Sequence, residues 1–323
     1  MHYPEDYINK IICGDALEIV KGMRDISVNC VITSPPYWGL RDYGHEGQIG
    51  NEKTPDEYVQ KLVDLFHEIK RVLRNDGTVF LNLGDSYAGM CSLSGDGRSG
   101  FGKPRDKIVN RGKNRDTSKW SYSKCRAQGD IKTKDLVGIP WMVAFSLRAD
   151  GWYLRQEIIW HKPNPMPESV TDRCTKSHEH IFLLTKSPIY YFNADAIKEP
   201  ATHAQDPRAG YGRLHYRGKR EGVKGTGQEN FVSIVENRNK RDVWTVTVKP
   251  FSGAHFATYP EDLILPCVLA GCAPQGVILD PFMGAGTTAL VAKKNNCNYI
   301  GCELNPEYIE IAQRRLAQEY LFT

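Results

Sequence analysis

The sequence has no long apolar run. No stretch of about eighteen apolar residues, the length a helix needs to cross a membrane, occurs in its 323 residues. The opening residues Met1-His2-Tyr3-Pro4-Glu5 also lack the basic-then-apolar pattern of a secretory signal. These absences predict a soluble protein with no membrane partner, working in the cytoplasm of a bacterial or archaeal cell or of a virus-infected host cell.

The sequence also lacks any C-x-x-C pair. Its nine cysteines are scattered and odd in number, which argues against both a zinc site and a disulfide framework. His178 and His180 stand two positions apart, but no third and fourth ligand lies near them in the sequence. We therefore predict no metal.

Excess charge of one sign is small overall but strongly segregated. The net charge is +4, yet the window from Arg98 to Lys134 holds twelve basic and three acidic residues, and the window from Gln205 to Arg241 holds nine basic and four acidic ones. Such segregation is typical of phosphate contact. Within the second window, Arg213 and Arg217 are candidate contacts to nucleic acid. The alternative is that both windows are solvated loops with incidental charge.

The strongest candidate for a catalytic segment is a predicted strand that is followed by two prolines. Val28, Val31 and Ile32 belong to a short apolar, β-rich run. Pro35 and Pro36 end it, because neither carries an N–H and Pro36 restricts its predecessor to extended conformations. The sequence therefore predicts a rigid loop with free carbonyl groups.

Such a loop suits a nucleobase amino group. That nitrogen is a poor nucleophile because its lone pair is delocalised into the ring, so a catalyst must supply acceptors for both N–H bonds. The Ser34 hydroxyl and the Pro35 carbonyl are two acceptors that the proline pair holds in place. Tyr37, with Trp38, offers a flat surface on which an extruded base stacks. The alternative is a plain turn with Tyr37 and Trp38 in the core.

A second candidate lies near the carboxyl end. An apolar strand ending at Asp280 continues through the turn Gly284-Ala285-Gly286 into a helix, an arrangement that brings a nucleotide-like ligand against backbone amides. A later strand delivers Glu303, which lies 23 positions after Asp280. This is close to the spacing of roughly 20 residues at which an acidic residue binds ribose hydroxyls.

Together these segments resemble the amino-group DNA methyltransferases that use S-adenosylmethionine, in the permuted β class, in which the catalytic motif precedes the cofactor motif. Residues 34–37 match the family's Ser/Asp-Pro-Pro-Tyr motif, and residues 280–288 match its Asp-Pro-Phe-x-Gly-x-Gly-Thr-Thr motif. The resemblance covers nearly the whole chain from Ile11 to Leu316, apart from the two basic windows.

The resemblance implies a set of site residues. The implied catalytic residues are Ser34, Pro35, Pro36 and Tyr37. The implied S-adenosylmethionine ligands are Asp15, Asp280, Phe282, Gly284, Gly286, Thr287, Glu303, Phe256 and Thr258. The implied substrate contacts are Lys162 and Asn164, beside Trp38. Two alternatives stay open: Asp15 also suits the N-cap of a helix starting at Ala16, and the loop of Lys162 and Asn164 also suits a solvated proline-rich turn.

The predicted architecture is a doubly wound, mostly parallel α/β sheet with helices on both faces and basic DNA-binding insertions at its carboxyl edge. A strand, a helix beginning at Pro55 and a second strand at 78–83 imply a parallel crossover. The segments 178–184 and 189–192 are predicted to form a hairpin. We expect a catalytic domain in three parts, 1–88, 136–195 and 246–323, interrupted by a basic insertion at 89–135 and a target recognition region at 196–245.

The predicted function is site-specific methylation of duplex DNA in a restriction-modification system, with base flipping and direct in-line transfer. Ser34 at the first motif position resembles the cytosine-N4 members, and adenine-N6 is the alternative. A cognate restriction endonuclease is a candidate partner, and the protein is expected to be a monomer or homodimer. Three rivals remain: RNA as substrate, a non-catalytic DNA-binding protein, and an NAD-dependent oxidoreductase, which leaves the Pro-Pro-Tyr loop unexplained.

Overall fold

The computed structural model describes residues 6–40, 47–88, 130–201, 237–248 and 259–318. The α-helices in these ranges are α1 Ala16–Lys21, α2 Pro55–Val72, α3 Ile139–Ala149, α4 Glu261–Gly271, α5 Thr287–Lys294 and α6 Pro306–Gln318. The strands are β1 Lys10–Cys13, β2 Val28–Thr33, β3 Leu73–Leu83, β4 Tyr153–His161, β5 His178–Thr185, β6 Glu199–Pro200, β7 Asn237–Arg238, β8 Val243–Thr245, β9 Val277–Asp280 and β10 Asn298–Glu303.

Eight of these strands form one sheet in the order β1-β10-β9-β2-β3-β5-β4-β8. All neighbours pair in parallel except at β5, which runs antiparallel to both β3 and β4. The predicted doubly wound, mostly parallel sheet is therefore confirmed. The carboxyl ends of the other strands and the amino end of β5 lie along the same edge.

The chain leaves the centre of this sheet in two directions. From β2 it passes through α2 to β3 on one side, and from β9 it passes through α5 to β10 on the other. The boundary between β2 and β9 is thus the point at which the strand order reverses. In open α/β sheets, ligands bind in the crevice outside the strand ends at such a point.

The sequence explains the helix that joins β2 to β3. Thr54 caps α2 by accepting a hydrogen bond of 3.1 Å from the Glu57 amide, and Pro55 occupies the first turn, where its missing N–H costs nothing. The helix buries one apolar face, which includes Tyr58, Leu62 and Phe66. Strand β3 follows it immediately, five residues earlier than predicted.

The predicted hairpin of 178–184 with 189–192 is wrong. Both edges of β5 are already occupied, by β3 on one side and β4 on the other, so no edge is left for a returning strand. The segment after Pro188 leaves the sheet, and the Tyr191 amide instead donates a hydrogen bond of 2.8 Å to the Asp76 carbonyl.

The chain divides into two compact units, one of residues 193–241 and one of the residues on either side of it. Within the described part of the small unit, β6 and β7 pair in antiparallel fashion, and Glu199 forms ion pairs with Arg238 and Arg241. The predicted domain boundaries stay predictions. Among the helices of the described ranges, none is both long and apolar enough to cross a membrane.

Candidate active site

The loop after β2 lies at the switch point and is fixed from two sides. The Tyr58 hydroxyl of α2 donates a hydrogen bond of 2.9 Å to the Pro36 carbonyl. Gly50 packs so closely on the loop that an added Cβ would lie 3.3 Å from the Pro36 Cβ. In the parts of the chain that the structure describes, no donor reaches the carbonyl of Pro35. The prolines thus hold an unused acceptor beside the Ser34 hydroxyl.

The Tyr37 side chain turns back across the sheet edge. Its hydroxyl donates a hydrogen bond of 2.6 Å to Glu179 Oε2, and its ring lies over Gly84, where a Cβ would come within 2.4 Å of the ring. Burial, and next the negative charge of Glu179, raise the pKa of Tyr37 well above its ordinary value. The phenol therefore stays protonated at neutral pH.

A polar cluster surrounds the Tyr37 hydroxyl. Asn82, near the end of β3, points its amide nitrogen at Glu179 Oε2 (3.0 Å), the Tyr37 hydroxyl (2.9 Å) and the Ser34 hydroxyl (3.3 Å). Lys162, after β4, forms a close ion pair with the other oxygen of Glu179 and lies 4.3 Å from the centre of the Trp160 ring. We call Ser34, Tyr37, Asn82, Lys162 and Glu179 the hydroxyl cluster.

Glu179 carries a negative charge within this cluster. Its burial favours the neutral acid, but the Lys162 ammonium and the hydrogen bonds from Lys162, Tyr37 and Asn82 outweigh it and lower the pKa of the carboxyl below its ordinary value. The ion pair and the hydrogen bonds offset the free-energy cost of burying this charge.

Asp280 ties the two central strands together. Its carboxylate is fully buried and accepts hydrogen bonds from the Thr33 hydroxyl (2.7 Å), the Thr288 hydroxyl (2.6 Å), the Tyr259 hydroxyl (2.9 Å) and the Phe282 amide (3.0 Å). Burial nevertheless raises its pKa. Its contacts are thus with the protein itself, and they fix the start of the glycine turn.

The glycine turn between β9 and α5 has the predicted shape. Gly284 and Gly286 adopt φ values of 52° and 80°, in the left-handed region that favours glycine. At Gly286 a Cβ would also lie only 2.7 Å from the Ala312 Cβ. Thr287 then begins α5 and is buried, and its hydroxyl accepts a hydrogen bond of 3.1 Å from Arg315.

Two carboxylates flank this turn at the ends of neighbouring strands. Glu303, at the end of β10, accepts hydrogen bonds from the Gly284 amide (2.7 Å) and the Asn305 amide (2.8 Å), and burial raises its pKa. Asp15, after β1, caps α1 by accepting a hydrogen bond of 3.1 Å from the Glu18 amide. The structure thus shows the capping role of Asp15 and places it at the same edge as Glu303.

Two predicted substrate contacts have other roles in the structure. Trp38 is 3% exposed, lies in the hydrophobic core, and donates its indole N–H to the Glu52 carbonyl at 3.0 Å. Its ring therefore offers no stacking surface, which corrects the predicted substrate contact. The Asn164 amide forms two hydrogen bonds to the Val248 backbone, of 2.9 and 3.0 Å, so it braces the segment after β8.

Of the remaining predicted site residues, one lies in the described part of the chain and four do not. Phe282 packs against the core cluster and meets Asp280 through its amide. Phe256, Thr258, Arg213 and Arg217 lie outside the described residues. In the described ranges, no group of three or more His, Cys, Asp or Glu side chains is arranged to hold a metal ion.

Asn82 and Glu179 are functional candidates that the sequence analysis missed. Asn82 is a buried polar residue among the apolar residues at the end of β3, and Glu179 precedes an apolar run at the start of β5. A polar residue inside an apolar strand was the available signal. It did not reveal which partners the two side chains meet, because that depends on the reversed direction of β5.

Comparison with known proteins places the chain among methyltransferases. The family model for DNA methylases of the N6 and N4 type matches residues 28–314. The type II methyltransferase M.SmaI of Serratia marcescens is 44% identical over 95% of this chain and 90% of its own length. The type II methyltransferase M.Cfr9I of Citrobacter freundii is 43% identical over 95% of this chain and 87% of its own length.

Solved structures share the fold. The cytosine-N4-specific PvuII DNA methyltransferase aligns with a TM-score of 0.61 over 94% of this chain and 85% of its own, at 16% identity. A putative DNA modification methylase from Thermus thermophilus, solved with S-adenosyl-L-methionine, aligns with a TM-score of 0.57 over 96% and 94%, at 21% identity. With the matched motifs and the extent of the family match, this chain belongs to the N6/N4 family of DNA methylases.

Proposed function

We propose that this protein transfers a methyl group from S-adenosylmethionine to the exocyclic N4 amino group of cytosine in duplex DNA. The observation that carries the proposal is the pairing of two acceptors at the strand end next to the glycine turn: the Ser34 hydroxyl and the Pro35 carbonyl, which no donor in the described ranges reaches. An amino group that donates one hydrogen bond to each acceptor directs its nitrogen lone pair away from the loop. The glycine turn that would hold the methyl donor follows the neighbouring strand, β9.

The residues around the turn fit the proposed cofactor. Glu303 and Asp15 supply carboxylate acceptors of the kind that ribose hydroxyls and an adenine amino group require. Gly284 and Gly286 give the backbone the left-handed turns with which a loop approaches a ligand closely. When bound, the cofactor supplies a sulfonium methyl, an electrophile that is reactive without help from a metal.

The chain's own contribution to the reaction is chiefly positioning. The proline pair fixes the acceptors before the substrate arrives, so little reorganisation accompanies the transfer. Because the target amino group of a duplex is stacked and paired, the base must leave the helix to reach Ser34. The half-buried Tyr37 ring is the aromatic surface beside Ser34 on which the extruded base can stack.

The choice of cytosine rests on Ser34 and on one relative. Serine at the first motif position resembles the cytosine-N4 members, and the PvuII enzyme, cytosine-N4-specific by name, shares the fold. Adenine-N6 is the second candidate because its amino group would use the same two acceptors. The type II relatives further suggest a role in a restriction-modification system with a cognate endonuclease. Region 196–245 is proposed to recognise the target sequence.

The deciding experiment is incubation of the purified protein with isotopically labelled S-adenosylmethionine and mixed-sequence duplex DNA, followed by digestion to nucleosides and mass spectrometry. We expect label in N4-methylcytosine. Label in N6-methyladenine would keep the mechanism and overturn the choice of base. RNA in place of DNA serves as the competitor substrate, and preferential label in RNA would overturn the choice of nucleic acid.

A matched pair of serine variants tests the assigned residue. Ser34→Ala should lower the methylation rate by about a hundredfold, the usual cost of removing one preorganised polar contact from a transition state, with cofactor binding retained. Ser27→Ala is the control, because Ser27 precedes the same strand at its other end and its hydroxyl donates a hydrogen bond of 2.6 Å to the Arg24 carbonyl, away from the loop. Equal rates in the two variants would contradict the role of Ser34.

A further inference from the structure

The Tyr37 hydroxyl has no hydrogen-bonding capacity left. A phenol donates one hydrogen bond and accepts at most two. Tyr37 donates to Glu179 and receives donors from Asn82 at 2.9 Å and from Ser34 at 3.5 Å. The hydroxyl therefore cannot bind a substrate amino group directly, and its function must be sought in its neighbours.

The Ser34 hydroxyl, in contrast, keeps one free acceptor position. Its own proton points toward Tyr37, and one lone pair faces the Asn82 amide at 3.3 Å. A hydroxyl oxygen carries two lone pairs, so one is unused within the described part of the chain. This lone pair is available only while the proton of Ser34 points toward Tyr37.

Glu179 sets the direction in which the Ser34 and Tyr37 hydroxyls donate their hydrogen bonds. An ionised carboxylate accepts hydrogen bonds and cannot donate one. Glu179 is ionised because Lys162 holds its other oxygen and lowers the carboxyl pKa, as described above. Tyr37 must therefore donate to Glu179, and its oxygen is then an acceptor for Ser34.

We propose that Glu179 is a positioning residue that fixes the direction in which Tyr37 and Ser34 donate, and so keeps a Ser34 lone pair free for the target amino group. Lys162, predicted from the sequence to contact substrate, serves in this arrangement to keep Glu179 in its acceptor-only form. The inference rests on the proposed function, because it assigns Ser34 as an acceptor for that amino group.

Glutamine at position 179 would reverse the direction of the hydrogen bonds that link residue 179, Tyr37 and Ser34. The amide oxygen is drawn to the Lys162 ammonium, which leaves the amide N–H₂ facing Tyr37. Tyr37 must then accept from residue 179 and donate toward Ser34, whose free lone pair is consumed. The substitution is nearly the same size, although the Asn82 amide, which donates to the same Glu179 oxygen at 3.0 Å, loses that acceptor as well.

The test measures single-turnover methylation by Glu179→Gln, with cofactor and DNA affinities measured separately. We expect the rate to fall by about tenfold to a hundredfold, with both affinities within about threefold of wild type. The matched control is Glu157→Gln, because Glu157 lies on adjacent strand β4 and pairs with His180 at 2.6 Å, outside the hydroxyl cluster. The control should methylate at the wild-type rate.

A double-mutant cycle separates orientation from general damage. In a Ser34→Ala background there is no hydroxyl left to orient, so adding Glu179→Gln should lower the rate by less than about threefold more. If the two losses simply multiply, Glu179 acts independently of Ser34 and the inference is wrong. If Glu179→Gln fails to fold, Tyr37→Phe replaces it, because it cuts the hydroxyl chain while leaving the Glu179 and Lys162 pair intact.

The outcomes distinguish this inference from the proposed function. A wild-type protein that labels no nucleoside overturns both. A wild-type protein that methylates DNA, together with a Glu179→Gln or Tyr37→Phe variant that does so equally fast, overturns the inference alone.

Discussion

The Thr33 hydroxyl donates a hydrogen bond of 2.7 Å to the Asp280 carboxylate, across the boundary at which the strand order of the sheet reverses. Thr33 ends the strand that carries the Ser34 loop, and Asp280 ends the strand that leads into the glycine turn. This buried contact adds to the backbone pairing of the two strands and holds the proposed acceptors beside the proposed cofactor site. This hydrogen bond links the Ser-Pro-Pro-Tyr motif to the motif that begins at Asp280.

The first prediction concerns this contact. Thr33→Val keeps the shape of the side chain and removes the donor, which leaves a buried carboxylate with one partner fewer. We expect the free energy of unfolding to fall by about 1–3 kcal/mol, the cost of removing one partner of a buried charged group. The methylation rate should fall as well, because the side-chain contact between the two strand ends is lost. Urea unfolding and single-turnover assays at saturating cofactor check both; unchanged values would show that the contact is dispensable.

The second prediction concerns the support for the Tyr37 ring. An alanine at position 84 would bring its Cβ within 2.4 Å of that ring, so the ring must move. Gly84→Ala should therefore reduce methylation while leaving cofactor affinity intact. Gly22→Ala is the matched control, since its Cβ would meet its nearest neighbours at an ordinary 3.4 Å. Equal activity of the two variants would mean that the position of Tyr37 has little influence.

The Ser34 loop and the glycine turn could be predicted because each is encoded locally. The proline pair restricts its own backbone, and Gly284 and Gly286 supply the left-handed conformations that their turn requires. Each segment also follows an apolar strand directly. In a parallel sheet, the residues that follow the strands lie at one edge. The position of Asp15 and Glu303 at that edge could therefore also be predicted.

The partners of the site side chains could not be predicted in the same way. Glu179 meets Tyr37 only because β5 runs against its neighbours, which brings its amino end to the edge where the other strands finish. The hairpin prediction missed this reversal. The sequence likewise leaves two places open for Trp38, a stacking surface beside Tyr37 and the core; the structure shows the core, where its indole N–H donates to the Glu52 carbonyl.

The third prediction follows from the pKa of Glu179. Folding lowers this pKa below the ordinary 4.5, so the folded protein favours the ionised carboxylate. The resulting stabilisation is complete above that ordinary pKa and is lost as the pH falls through the lower pKa of the folded state. The difference in unfolding free energy between wild type and Glu179→Gln should therefore shrink on acidification from pH 7 into this range. Denaturant titrations across the pH series measure it; a difference that grows at acid pH would have the wrong sign.

The last prediction concerns the carboxylate that faces the glycine turn. Glu303 uses one oxygen for the Gly284 amide and the other for the Asn305 amide, so it holds the turn in shape as well as serving as a proposed ligand. In Glu303→Gln one of these acceptors becomes a donor, which opposes an amide N–H instead of binding it. We expect the affinity for S-adenosylmethionine to fall at least about tenfold, equivalent to about 1.4 kcal/mol, because the turn loosens and an acceptor for the ribose is lost. Isothermal titration calorimetry measures the affinity, with Glu310→Gln, an exposed position on α6, as the matched control. If the two variants bind the cofactor equally well, the turn does not depend on Glu303, and the cofactor site must be assigned to other residues.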